Sequence, residues 1–75
     1  MEGNGPVDGE VTRVEHYGLY VKTPEGDAVV LIPDVSKEPI PDLKAAYSPG
    51  DQVRVRLLRF VEQRGIHKAT MILDA

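Results

Sequence analysis

Seventy-five residues make one small domain, close to the lower size at which a hydrophobic core alone holds a chain together. Hydrophobic residues are 41% and charged residues 28% of the chain, a globular balance, and the longest apolar run (Ala28-Val29-Val30-Leu31-Ile32) falls far short of the roughly 20 residues of a membrane helix. The absence of cysteine excludes a disulfide framework and a thiolate metal site, and the net charge of -3 conceals an asymmetry: residues 1–51 carry ten acids and four bases, residues 52–75 two acids and five bases.

Residues 1–6, with two glycines, an asparagine and a proline, are expected to form a flexible lead-in. They lack the positive charge and apolar stretch of a signal peptide, which fits a cytoplasmic protein with no membrane contact. Val7 to Glu15 is predicted as a strand with Val11 and Val14 as its apolar points, and Tyr17 to Lys22 as a second strand. Thr23-Pro24-Glu25-Gly26-Asp27 is a turn, proline setting its entrance and glycine offering a positive φ near its exit. Ala28 to Ile32 is a β-branched third strand ended by Pro33.

Four prolines between residues 33 and 50 exclude a long helix, leaving at most one short turn around Asp42 to Tyr47. Ser48-Pro49-Gly50-Asp51 then leads into a clear strand, where Val53, Val55 and Leu57 alternate with Arg54, Arg56 and Leu58. Gln63-Arg64-Gly65 forms another turn, and His67 to Leu73 a closing strand. Three strands, a crossover and two strands are predicted to close into an all-β five-stranded barrel, which leaves no long bare edge. Periodicity by itself does not separate an OB-fold from a small SH3-like barrel.

Gly9-x-Val11-x-x-Val14-x-x-Tyr17-Gly18-x-Tyr20-Val21 resembles the opening of the S1 domain, the RNA-binding OB-fold module of ribosomal protein S1. Ala28 to Pro33 is similar to the family's third strand, and Tyr47-Ser48-Pro49-Gly50-Asp51-Gln52-Val53-Arg54-Val55 to the start of its fourth, so the resemblance spans residues 7–73. It implies an OB-fold domain over residues 7–75, with a short irregular or 3-10 helical crossover between strands 3 and 4. It further implies a surface that stacks single-stranded RNA bases on Tyr17 and Tyr20. The chain departs from the pattern at Leu31, where the family often has histidine, and at Val61 and Ile66, where it often has an acid and an arginine. These departures predict weak binding with little base specificity.

Strict alternation would set Tyr17 and Tyr20 on opposite faces, and Gly18 between them is expected to form a bulge or unusual φ that reunites them. Flat rings suit unstacked bases of any identity, at about 1–3 kcal/mol each. Leu31 is expected to add an apolar contact. Arg56, Arg64 and Lys68 are the candidate phosphate contacts weighted above Arg54, Arg59 and Arg64 flank the last turn, and Lys22 at the end of the second strand is a further candidate, equally readable as an exposed strand-end lysine. The expected partner is single-stranded RNA (single-stranded DNA is the variant), within a ribosome or RNA-processing complex, and the expected state is a monomer. A protein-interaction barrel docking onto a ribosomal, ribonuclease or polymerase complex is the competing reading. Met1 and the short tail after Leu73 are compatible with an intact small protein. His16 and His67 belong to no Ser-His-Asp or Cys-His order, Gly3-Asn4-Gly5 opens no phosphate loop, and no metal-ligand spacing occurs. The chain is therefore expected to be neither an enzyme nor a cofactor or metal binder.

Overall fold

A computed structural model describes residues 5–73. The part of the expected lead-in at residues 1–4, and the last two residues of the chain, lie outside the described residues. Five strands carry the fold: β1 (Val7–Glu15), β2 (Gly18–Thr23), β3 (Gly26–Leu31), β4 (Gln52–Val61) and β5 (Ile66–Thr70). They close in the order β1-β2-β3-β5-β4, with β1 pairing to β4. All neighbours are antiparallel except β3 and β5, which meet in a short parallel pairing at Ala28–His67 and Val29–Lys68. This is the five-stranded OB-fold barrel. Closure pairs the strand edges that a small open sheet would expose.

Alternation builds the interior. Val11, Leu19, Val21, Ala28, Val30, Val55 and Ala69 point inward, and all are at most 1% exposed. The side chains are small or branched, as a narrow barrel requires. Val35 and Leu43 from the crossover close one opening of this core.

The crossover is short and largely irregular, as expected, and α2 (Leu43–Ala46) falls where the single turn was predicted; the structure adds a second four-residue α-helical turn, α1 (Ile32–Val35), and both turns are α rather than 3-10. Pro33 does end β3, but it also stands in the first turn of α1, where a missing N–H costs nothing. The backbone N–H of Lys44 donates to Asp42 Oδ1 at 3.1 Å, which caps α2. Beyond β5, Thr70 Oγ1 and the N–H of Met71 both donate to the carbonyl of Asp34, at 3.2 and 2.8 Å. These bonds tie the end of β5 to the crossover. At the other end of β3, Gly26 takes φ +123°, the conformation expected of the glycine in this turn.

Two pairings slip by one residue. Between β1 and β2 the register passes from Val11–Val21 to Arg13–Tyr20, leaving Thr12 over. Between β4 and β5 it passes from Leu57–Ala69 to Arg59–Lys68, leaving Leu58 over. Each extra residue reverses the face presented by the rest of its strand.

Candidate nucleic-acid interface

Val11 is buried, so two residues on, Arg13 would point inward on a regular strand. The slip at Thr12 turns Arg13 outward beside Tyr20. The slip at Leu58 does the same for Arg59, which would otherwise follow Leu57 toward the core and instead faces outward beside Lys68. Pairing then links one residue from each strand around the outside of the barrel, in the order Arg13, Tyr20, Val29, Lys68, Arg59.

The last four of these line a groove of about 500 Å³, with Tyr17, Leu31, Val61, Arg64 and Ile66 completing it. The groove gathers five of the residues chosen from sequence: Tyr17, Tyr20, Leu31, Arg64 and Lys68. Its floor and flank are aliphatic. Its charged members are Arg59, Arg64 and Lys68, and none of the three makes an ion pair with a described residue.

Tyr17 and Tyr20 share one side of the barrel, with hydroxyl oxygens 2.8 Å apart and ring centroids 6.2 Å apart at 89°. Gly18 does not achieve this by the expected bulge or unusual φ, because its φ is not positive and no slip falls at it. Tyr17 sits in the two-residue turn between β1 and β2, outside the strand, so alternation does not govern it. Gly18 is required for a different reason: a Cβ there would lie 2.4 Å from the Val30 carbonyl oxygen on β3. The perpendicular rings are not one flat platform. A base lying flat on either ring meets the other at right angles.

Both phenols are held in place. His16 packs edge-on against Tyr17, with centroids 5.3 Å apart, and the Arg13 guanidinium lies 5.5 Å from the Tyr20 centroid. Arg13 is steadied by a hydrogen-bonded ion pair with Glu15, which also raises its own pKa. The hydrogen bond to Tyr20 and, next, partial desolvation raise the pKa of Tyr17 above the ordinary phenol value. A raised phenol pKa means that the folded state favours the neutral ring. That contribution is present below about pH 10 and is lost as the pH climbs through the raised value. Ultraviolet titration should find a tyrosine, Tyr17, ionising above the ordinary phenol range, and Tyr20→Phe should return it toward that range.

Two sequence candidates lie elsewhere. Lys22 pairs across β1 with Glu10 and across β3 with Asp27, so acids flank it on both sides and it does not line the groove. Arg56 pairs with Thr70, whose hydroxyl is engaged by the crossover, and it too lies off the groove. Arg56 was chosen for its outward side and Lys22 for its nearness in sequence to Tyr20, whereas a closed barrel has several outward walls. Arg54, weighted lower from sequence, is spent on Asp8 at 3.3 Å. The groove residues not chosen from sequence are Val29, Arg59, noted only as flanking the last turn, and Val61 and Ile66, noted only as departures from the family pattern, together with Arg13 at its margin. The signal for Arg13 was present, since Val11 and Val14, both apolar, stand an odd number of residues apart.

Residues 4–68 match the model of the S1 RNA binding domain. Among solved structures, the chain is similar to GSP13 from Bacillus subtilis at 28% identity and TM-score 0.78, over 95% of this chain and 55% of that one. It has the fold of a chain in the a/eIF2alpha-aDim2p-rRNA complex from Pyrococcus horikoshii OT3, at 19% identity and TM-score 0.78, covering 95% and 44%. The intact alpha subunit of aIF2 from Pyrococcus abyssi also shares the fold, at 19% identity and TM-score 0.75, covering 93% and 28%. The chain thus spans about half the length, or less, of these neighbours. No functionally curated protein matches the sequence.

Proposed function

This chain belongs to the S1 RNA binding domain family, and from that premise we propose that it binds single-stranded RNA in the groove between Tyr17 and Arg59. Bases stack on Tyr17 and Tyr20, Leu31 and Val29 give apolar contact below them, and Arg64 and Lys68 reach the phosphates. The observation that carries this reading is one groove holding two phenols and three cations that are not spent on any described carboxylate. The remaining lining is aliphatic, with no carboxylate or side-chain amide to add base-edge contacts, and the cations are assigned to phosphates, which carry no sequence information. Binding is therefore weak and largely indifferent to sequence, and the domain is a binding module rather than an enzyme. Such a module serves translation or RNA metabolism as part of a larger assembly, where several weak contacts add up.

Titration of the isotopically labelled domain with a mixed-sequence single-stranded RNA tests the reading by NMR. Shifts should cluster at residues 17–20, 29–31 and 59–68. With two to three phosphates contacted, affinity should fall by about 7- to 20-fold between 50 and 200 mM salt, at about 0.7 in slope per phosphate. A second reading, docking of a protein partner, draws on Leu58 and Phe60, which are exposed at 47% and 52% away from the groove. Absence of any shift in the groove, or binding indifferent to salt, would favour that reading and overturn ours.

A further inference from the structure

We propose that Arg59 and Lys68 act together as a clamp for one phosphodiester of the bound strand, at the β4–β5 side of the groove. The proposal rests on the RNA-binding reading above and adds to it a specific subsite. The two residues pair directly across β4 and β5. Opposed side chains on one face stand about 4.5–5.5 Å apart at Cβ, and like charges so placed destabilise a sheet. Nothing within the described chain relieves that repulsion, because neither cation forms an ion pair there and no described acid lines the groove.

The surroundings sharpen the demand. The next rung on the same face, two residues toward the turn, is Val61–Ile66, and the β3 neighbour of Lys68 is Val29, so aliphatic side chains border the pair on two sides. Lys68 is half-buried beside them, whereas Arg59 is exposed. The arrangement also depends on a specific irregularity, since without the slip at Leu58 the Arg59 side chain would turn toward the core. A phosphodiester fits the gap. It carries one negative charge on two unesterified oxygens, and each oxygen accepts from one of the two cations.

Arg59→Gln, Lys68→Gln and the double variant test the clamp, since glutamine retains much of each stem and removes the charge. Affinity for a six-nucleotide oligouridine is measured at 50 and 200 mM salt, alongside the melting temperature at low salt. One shared phosphate predicts that the double variant's salt-induced loss of affinity is smaller than the wild type's by a factor of about 2.6, whereas two separate phosphates predict about 7. A shared site also predicts that either single variant loses nearly as much low-salt affinity as the double, and that each single variant melts no lower than the wild type. A factor near 7 with additive losses overturns the clamp, as does unchanged binding in the double variant. In both of these cases wild-type binding persists and the stacking reading stands. A wild type that does not bind the oligonucleotide overturns both.

Discussion

Replacing Tyr17 and Tyr20 together by alanine is expected to weaken binding of a short single-stranded RNA by at least about 30-fold while the barrel stays folded. Two stacked bases contribute about 2–6 kcal/mol, and each 1.4 kcal/mol is a factor of ten. Neither ring belongs to the buried core, and Tyr17 is 39% exposed, so the fold does not depend on them as it does on Leu19 or Val30. Calorimetric titration measures the loss, and circular dichroism checks that the strands persist. The two rings are linked by their hydroxyls and perpendicular, so either single variant should lose more than half of the double variant's effect in free energy. Wild-type affinity in the double variant would remove stacking from the mechanism and leave only the cations.

Gly18→Ala is expected to destabilise the domain by about 2 kcal/mol or more, as overpacking in a well-filled site does. For a chain of this size that is a fall in melting temperature of roughly 8–16 °C. The added Cβ would meet the Val30 carbonyl oxygen at 2.4 Å and the Leu31 Cα at 3.0 Å. Both are backbone atoms of β3, and they cannot retreat without loosening the Gly18–Leu31 and Leu19–Val30 pairings. Leu19 and Val30 are core residues with no exposure. Movement there also reaches the binding groove, because the N–H of Ile32 donates to the Tyr17 carbonyl at 3.1 Å. Gly5→Ala is the matched control, since a Cβ at that position meets nothing within 4 Å. Equal melting temperatures for the two variants would show that β2 and β3 separate more easily than their pairing implies.

The wild-type groove joins these two expectations. The close approach of β2 to β3 at Gly18 sets the turn that carries Tyr17, and that turn sets the pair of phenols. A change in packing beneath the sheet is thus transmitted to the ligand surface through one strand pairing and one hydrogen bond.

Much of this was legible in the residues themselves. Alternation identified Val53, Val55 and Leu57 as one face of β4, proline and glycine marked the turns, and the resemblance to the S1 domain pointed to Tyr17, Gly18 and Tyr20. The first two are short-range properties, settled by backbone geometry and by which side chains water rejects. The helical turn α1 was hidden because Pro33 is compatible both with the end of a strand and with the first turn of a helix, and local chemistry does not choose between them.

Sequence by itself determined five strands and their succession along the chain, and the family resemblance pointed to the tyrosine pair. Only the tertiary structure decided which cations meet those tyrosines. Arg13 and Arg59 reach the groove side because one extra residue in each of two pairings reverses the face of the strand, and a slip exists only relative to the partner strand. Lys22 and Arg56 point outward as expected, yet onto other walls, because a sheet that closes on itself turns one outer face into several.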